Sequence, residues 1–167
     1  KPLWMTKLNN IVHVVCQGND LNNNGVFDEG DEKPSWWIIQ NEQSFKKMDF
    51  EFGSLNLPFR PAIDTKNQFL FIPHKGVIKS YNMNSYELND GQVAFINAAA
   101  LDFAGGHLLI ARKYEESPDS VVVLNLQNGQ VLQKVHSGDE VSDVKYFPIT
   151  GGSQPGIGLA VTTFNQS

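Results

Sequence analysis

The fold of this chain follows from residues 59–74, which read FRPAIDTKNQFLFIPH. A related stretch, AAALDFAGGHLLIAR, occupies residues 98–112, so that Asp64 matches Asp102 at a distance of 38 residues along the chain. Self-similarity with a period of about 40 to 50 residues is typical of propellers and other repeat arrays. These stretches therefore predict a chain that is built from repeated units.

Short runs of β-branched and aromatic residues fill most of the sequence between turn residues, and helical periodicity is nearly absent. Such runs are typical of strands. They occur at residues 11–16, 36–39, 45–52, 69–72, 77–81, 108–111, 121–126, 131–135, 144–147 and 159–163. The chain is therefore expected to be all-β.

The runs group into units of four short antiparallel strands, which is the composition of one β-propeller blade. We predict three blades plus the start of a fourth. The expected units lie at about 5–55, 56–92, 93–138 and 139–167. The pair Asn128-Gly129 predicts a tight type I′ hairpin turn at the outer edge of the third unit. A β-sandwich built from the same hairpins is the alternative.

Residues 119–131, DSVVVLNLQNGQV, and residues 137–141, SGDEV, resemble the blade repeat of the YVTN-type propellers of bacterial surface and secreted proteins. The resemblance extends from residue 59 to about residue 147, and the pattern is shared with quinoprotein-like and WD-like propellers. It implies that this chain is part of a seven-bladed ring in an extracellular or cell-surface bacterial protein. One departure is Asn125, where the family usually has Asp.

An incomplete ring would leave one blade face and unpaired strands exposed to water. We therefore expect the chain to be a fragment that needs partners, which are either the remaining propeller blades or another protein chain. Closure of a ring by several copies of the chain is the alternative.

Residues 20–32, DLNNNGVFDEGDE, have the spacing of an EF-hand-type calcium loop. Oxygen-bearing side chains fall at loop positions 1, 3, 5, 9 and 12, a glycine stands at position 6, and position 7 offers its carbonyl. Calcium prefers about six to eight hard oxygen ligands, which alternate residues of a tight loop can supply. The predicted ligands for Ca²⁺ are Asp20, Asn22, Asn24, Val26, Asp28 and Asp31.

The predicted calcium site is structural and not a sensor, because strands and not helices are expected to flank the loop. Position 12 is Asp31 instead of Glu. In this the loop resembles the calcium loops of dockerin and thrombospondin-type repeats, which occur outside the cell. An affinity of about 10⁻⁴ to 10⁻³ M is expected for such a site. The alternative is a surface loop in which Asn, Asp and Gly only favour turns.

The composition argues against several other classes of protein. The formal net charge is −5, which disfavours binding to nucleic acid or to anionic lipid. No apolar run approaches the ~20 residues that span a bilayer. The lone Cys16 can form no internal disulfide, and we expect it to be a buried structural residue.

The sequence lacks the motifs of common enzyme classes, such as G-x-S-x-G, the P-loop and the dinucleotide fingerprint. Trp36 and Trp37 are a candidate platform for a sugar, but adjacent strand residues point to opposite sides, so one is expected in the core and one exposed. Asp64 and Asp102 are expected to be turn residues that stabilise their blades. The four histidines are scattered without the spacing of metal ligands.

We therefore expect a calcium-stabilised, non-enzymatic propeller portion that serves binding or assembly, with a carbohydrate or a protein as ligand. The first alternative is the scaffold of a propeller enzyme (a lyase, a glycosidase or a quinoprotein-like enzyme) whose catalytic residues lie on blades outside this chain. Charged side chains of Arg60, Asp64 and Lys145 meeting at a central channel would favour that alternative. The second alternative is a structural subunit that polymerises through exposed blade edges.

Overall fold

The computed structural model describes residues 2–24, 26, 28–51, 61–74, 77–89, 98–104, 106–112, 120–136, 140–149 and 156–164. Every regular element within these residues is a β-strand, and all strand pairs are antiparallel. The same residues contain no helix of the length and apolar character needed to cross a membrane. The predicted all-β fold class is confirmed.

The strands form four sheets in which sequence neighbours are also spatial neighbours, as in propeller blades. The first sheet contains β1 (Pro2–Leu8), β2 (Ile11–Cys16), β3 (Ser35–Gln40) and β4 (Gln43–Asp49). The second contains β5 (Ala62–Asp64), β6 (Phe69–His74) and β7 (Val77–Asn82). The third contains β8 (Ala98–Ala104), β9 (His107–Arg112), β10 (Ser120–Asn125) and β11 (Val131–His136). The fourth contains β12 (Glu140–Ile149) and β13 (Gly156–Phe164).

The first sheet reverses twice through two-residue hairpin turns. Asn9 and Asn10 have φ angles of 50° and 64°, and Asn41 and Glu42 have φ angles of 51° and 64°. Positive φ at both central residues is the signature of the type I′ turn, whose twist matches that of the flanking strands. The β1–β2 and β3–β4 connections are therefore both type I′ turns.

The turn between β10 and β11 differs from the predicted type I′ hairpin. Gly129 has a φ of 70°, but the preceding Asn128 is not in the left-handed region. The Asn125 side chain accepts a hydrogen bond from the Gln127 amide at 2.8 Å, and the Gly129 amide donates to the Asn125 carbonyl at 2.9 Å. These bonds wind the chain into a longer turn in which only the glycine needs positive φ, so the type I′ prediction is wrong.

A separate cluster of apolar side chains lies between each pair of consecutive sheets. Between the first and second sheets it consists of Val15, Trp36, Phe50, Leu70, Ile72, Tyr81 and Met83. The next cluster consists of Ala62, Phe71, Ile78, Leu101, Leu108, Ile110, Val122 and Leu124, and the last of Ala100, Val121, Val141 and Val144. Burial of apolar surface thus joins each sheet to the next.

The first sheet buries only one of its two faces within the described part of the chain. On β2, His13 and Val15 are buried, whereas the alternating residues Val14 and Cys16 are only partly buried. Cys16 is a free thiol on the face opposite to the core cluster. The prediction that Cys16 is buried is therefore wrong, because among the described residues this face lacks the apolar cover that the other face has.

The buried His13 side chain lies among aromatic rings. Its ring centroid is 5.7 Å from that of Trp36 and 6.4 Å from that of Tyr86. His13 is 2% exposed, and its Nδ1 has no hydrogen-bond partner among the described residues. This burial lowers the pKa of His13 from its ordinary value of 6.5, because the charged imidazolium loses its hydration.

The chain is expected to lose stability when the solution is acidified through the ordinary pKa of histidine. Because the pKa of His13 is lowered in the folded chain, the unfolded chain binds more protons just below pH 6.5. The free energy of unfolding therefore decreases as the pH falls below that value, and the decrease levels off only below the lowered folded-state pKa. Urea unfolding at about pH 7.5 and about pH 5.5 measures the difference.

The matched variants for this measurement are His13→Phe and His136→Phe. The first replaces the buried imidazole by a ring that cannot take up a proton, so most of the decrease between the two pH values should disappear. The second removes a histidine from the exposed strand β11 and should leave the decrease as in the unmodified chain. If the free energy of unfolding of His13→Phe falls between the two pH values as much as that of the unmodified chain, another group causes the decrease.

Candidate metal centre

The predicted calcium loop is inserted between β2 and β3, and a pair of backbone hydrogen bonds closes its base. The Asn19 amide donates to the Glu32 carbonyl at 3.2 Å, and the Glu32 amide donates to the Asn19 carbonyl at 3.0 Å. This isolated antiparallel bridge holds the two ends of the loop together next to the first sheet. Residues 20–31 therefore begin and end at one place on the sheet.

Side-chain turns organise the first half of the loop. The Asn22 Oδ1 atom accepts a hydrogen bond from the Asn24 amide at 3.0 Å, and Asn24 Oδ1 accepts one from the Val26 amide at 2.7 Å. Asp20 Oδ1 also accepts from the Asn24 amide, at 3.3 Å. Such local side-chain bonds are typical of Asn and Asp in tight turns. The oxygens at loop positions 1, 3 and 5 therefore gather around one short stretch of backbone.

The Asp31 carboxylate links the two halves of the loop. Its Oδ1 accepts a hydrogen bond from the Leu21 amide at 2.8 Å, and its Oδ2 accepts one from the Asp28 amide at 3.0 Å. Asp28 in turn accepts from the Gly30 amide at 3.1 Å and from the Asn24 side chain at 3.4 Å. The structure thus connects the predicted ligands of the first half to those of the second half.

The candidate ligands offer only oxygen atoms, which are the ligands that calcium prefers. Residues 20–32 contain five Asp and Glu residues and no Lys or Arg, so their mutual repulsion favours a bound cation. Within the part of the chain that the structure describes, no three His, Cys, Asp or Glu side chains form a group that could hold a metal ion. Coordination would therefore also require the amide oxygens of Asn22 and Asn24 and the carbonyl of Val26.

Two residues of the loop, Gly25 and Phe27, lie outside the described residues. The predicted sharp turn at Gly25 therefore stays a prediction. The chemistry of the donor set fits Ca²⁺, and the six predicted metal ligands stay a prediction as well.

Gly18, which precedes the loop, is a structural residue of this site that the sequence pattern does not predict. It is buried and has a φ of 89°. A Cβ atom at this position would overlap the Glu32 carbonyl oxygen and would lie 2.9 Å from the Lys33 carbonyl carbon. Only glycine fits this conformation and this space. A single glycine between a strand and a polar loop is too common a feature to have indicated this role.

The two neighbouring tryptophans face opposite sides of β3. Trp36 is fully buried, whereas Trp37 is partly buried and its Nε1 donates to the Ser35 hydroxyl at 2.8 Å. Trp37 also lines a cavity of about 550 Å³ next to the loop, together with Cys16 and Asp31. The pair therefore does not form a single stacking platform.

The two aspartates that recur in the repeat have different contacts. Asp64 Oδ1 accepts hydrogen bonds from the Lys66 and Asn67 amides at 3.0 and 3.1 Å, as a turn residue does. Asp102 Oδ2 instead accepts from the Tyr146 amide of β12 at 2.6 Å and so joins the third sheet to the fourth. The prediction that Asp102 is a turn residue is wrong, because β8 continues to Ala104 before the chain turns.

The charged residues that would favour an enzyme scaffold have separate partners. Lys145 Nζ lies 3.9 Å from Asp102 Oδ1, whereas the Asp64 carboxylate is bonded within its own turn. Arg60 lies outside the described residues. None of the contacts in the described part of the chain brings Asp64 and Lys145 together.

Solved structures similar to this chain include the following two. The crystal structure of Saccharomyces cerevisiae Sqt1 matches with a TM-score of 0.60 and 12% sequence identity, over 92% of this chain and 39% of that chain. The AfRom2 CNH domain matches with a TM-score of 0.50 and 9% identity, over 99% of this chain and 52% of that chain. Sqt1 has a propeller fold of the WD40 type. The chain has the β-propeller fold.

This β-propeller chain spans well under half the length of Sqt1 and about half the length of the AfRom2 CNH domain. No protein-family model matches the sequence, and no curated protein matches it. The predicted fold is therefore confirmed at the level of the propeller. The seven-bladed ring, the YVTN-type repeat and the bacterial cell-surface location stay predictions.

Proposed function

We propose that this chain is a calcium-stabilised portion of a β-propeller in a secreted or cell-surface bacterial protein, where it serves protein binding or assembly. The observation that carries the proposal is the bridging position of Asp31. This carboxylate already bonds to the amides of Leu21 and Asp28, and each carboxylate oxygen has a further lone pair for a cation. A bound Ca²⁺ would neutralise part of the negative charge of the five acidic residues of the loop.

Calcium binding is expected to stabilise the whole first sheet and not only the loop. The loop ends at β2 and β3, and these strands carry Val15 and Trp36 of the core cluster between the first and second sheets. Unfolding of the sheet would separate the two ends of the loop and destroy the site. Because the metal binds only the folded chain, its binding free energy adds to the free energy of unfolding.

An extracellular location is supported by the calcium loop and by the repeat. A calcium loop with Asp at position 12 is expected to have a Kd of about 10⁻⁴ to 10⁻³ M. Such a site is filled only at the high calcium concentration found outside cells. The resemblance of residues 119–131 to the YVTN-type blade repeat supports the same location in a bacterium.

A role in assembly is supported by the open face of the first sheet. Met5 is 67% exposed and Ile39 is 39% exposed. On the same face of the sheet, Met5 lies opposite Val14 and Ile39 lies opposite Val12. Both valines are partly buried. Exposed apolar side chains on a sheet face are typical of a surface that another protein layer covers. A further propeller blade, from the same protein or from a partner chain, would bury this face.

Thermal unfolding with and without calcium tests the proposal. At a free Ca²⁺ concentration of about 100 times Kd, binding adds about 2.7 kcal/mol to the free energy of unfolding. For a chain of 167 residues this corresponds to an increase of about 5 to 10 °C in Tm relative to a sample in excess chelator. Magnesium at the same concentration should produce a smaller increase, because it requires a stricter octahedral geometry.

The variants Asp28→Asn and Glu29→Gln make a matched pair for this experiment. Both replace one acidic residue of the loop by its amide, but only Asp28 is a predicted ligand. Asp28→Asn should lose most of the calcium-dependent increase in Tm, and Glu29→Gln should keep it. If calcium does not raise the Tm of the unmodified chain, the proposed calcium site is contradicted. If both variants lose the same part of the calcium-dependent increase in Tm, the increase is a non-specific effect of charge and not the result of a site.

A further inference from the structure

A cavity of about 550 Å³ lies between the second and third sheets, on the side of the β5–β6, β8–β9 and β10–β11 turns. These turns contribute Asn67, Gly106 and Gln127 to its wall. Its volume lies within the range of about 300 to 1,000 Å³ that is typical of small-molecule sites. None of the described residues of the predicted calcium loop lines the cavity, so an inference about it does not depend on the proposed function.

Two buried polar atoms belong to residues that line this cavity. Ser80 on β7 is 2% exposed, and its hydroxyl has no hydrogen-bond partner among the described residues. The Nδ1 atom of His107, at the start of β9, is buried and unpartnered in the same way. Unpaired buried polar atoms are costly, so a molecule that offers hydrogen bonds to them gains affinity. Both atoms have almost no accessible surface, so a polar occupant would pair with them after the Ser80 hydroxyl or the His107 ring rotates toward the cavity.

Apart from the Asp64 carboxylate, the remaining polar groups of the described wall are neutral. No Lys or Arg is among the described residues that line it, so an anionic ligand would find no counter-charge. The carboxylate of Asp64 is 5% exposed and accepts three hydrogen bonds from its own turn, so it is already engaged in holding that turn. The other polar groups are carboxamides, which both donate and accept, as hydroxyl groups do. They belong to Asn67, Asn89, Asn125 and Gln127.

The other part of the wall is apolar and aromatic. Phe69, Phe71, Phe103 and Leu126 line it, and the rings of Phe71 and Phe103 stack with centroids 5.8 Å apart and planes at 22°. Flat apolar rings next to groups that donate and accept hydrogen bonds suit a molecule with one C–H face and several hydroxyl groups. We propose that this cavity binds a neutral saccharide, with Ser80, His107 and Gln127 as its hydrogen-bonding residues.

Isothermal titration calorimetry of the complete chain with D-glucose, D-galactose, D-mannose and N-acetyl-D-glucosamine tests this proposal. At least one of these sugars should bind with saturation at millimolar concentration. Cellobiose and lactose form a second arm, because a site for the end of a glycan chain should bind a disaccharide more tightly than its free monosaccharide. Glucose 6-phosphate should bind more weakly than glucose, since the cavity has no cationic lining residue among those described.

The variants Ser80→Val and Ser120→Val form a matched pair. Both serines lie on third strands of their sheets, both are almost fully buried, and both hydroxyls lack a hydrogen-bond partner among the described residues. Only Ser80 lines the cavity. Ser80→Val should weaken sugar binding by about two- to tenfold, the usual effect of one lost hydrogen bond, and Ser120→Val should leave it unchanged.

Gln127→Ala provides a variant whose folding is not at risk, because Gln127 is exposed at a turn. A two- to tenfold loss of affinity is expected here as well. The titration is repeated in excess chelator, where sugar binding should persist because no calcium-loop residue lines the cavity. No binding of any of these sugars, tighter binding of glucose 6-phosphate than of glucose, or an equal loss in Ser120→Val would overturn the proposal.

Discussion

Replacement of Trp36 by Ala should lower the free energy of unfolding by about 3 to 5 kcal/mol, the usual range for the loss of a fully buried tryptophan. Trp36 is 0% exposed and is one of the largest fully buried side chains. Its ring makes edge contacts with Tyr81 and Tyr86, with centroids 6.2 and 5.3 Å apart. Removal of the indole would leave a cavity between the first and second sheets. Urea unfolding followed by circular dichroism measures the loss without relying on tryptophan fluorescence.

Trp37→Ala is the matched control for this prediction. The two residues are neighbours on β3 and undergo the same chemical change, but Trp37 is partly buried and lies on the opposite side of the strand. Its removal should cost only about 1 kcal/mol, as is common for positions outside the core. Equal losses in the two variants would contradict the assignment of Trp36 alone to the core between the sheets.

Replacement of Gly18 by Ala should lower the free energy of unfolding by about 3 kcal/mol or more. A non-glycine residue at a φ of 89° costs about 1 to 2 kcal/mol for the left-handed conformation alone. In addition, the new Cβ atom would overlap the Glu32 carbonyl oxygen and would crowd the backbone of Lys33 and Pro34. These backbone atoms belong to the base of the loop, and a shift of the Glu32 carbonyl would strain the hydrogen bond that it accepts from the Asn19 amide.

Gly129→Ala separates the steric part of this effect from the conformational part. Gly129 has a φ of 70°, but a Cβ atom there would meet no atom within 4 Å. The variant should therefore lose only the cost of the left-handed conformation, about 1 kcal/mol. Measured in excess chelator, the larger loss in Gly18→Ala should remain, because the overlap does not involve a metal. Similar losses in the two variants would refute the close packing of Gly18 against the loop.

Local sequence pattern predicted most strands because the strands are short, rich in β-branched residues and separated by turn residues. The strand β1 was missed, since Pro2–Leu8 contains Pro, Met and Lys and shows its strand character only in its pairing with β2. The turn at Asn128-Gly129 was assigned to the wrong type for a related reason. Its geometry depends on the Asn125 side chain, which a dipeptide pattern does not consider.

The candidate sites were predictable to different degrees. The six predicted calcium ligands rest on spacing within one short segment, because an ion of fixed size would select positions along a single loop, and they stay a prediction. The role of Gly18 depends on the return of the chain at Glu32, and the cavity between the second and third sheets depends on residues from Asp64 to Gln127. The same limit explains Asp102, whose partner Tyr146 lies in another sheet. Contacts between distant segments carry no local signal in a single sequence.

Each core cluster involves only two consecutive sheets, so the packing of one sheet is specified by its immediate neighbours. Duplication of the gene segment for one blade would therefore insert a new module with ready-made contacts on both sides, and no existing interior would have to be redesigned. The 20–31 loop, which is attached to a single sheet, could be carried to a new position by the same event. In this architecture, an insertion attached to one sheet can be gained or moved without changing the packing of the other sheets.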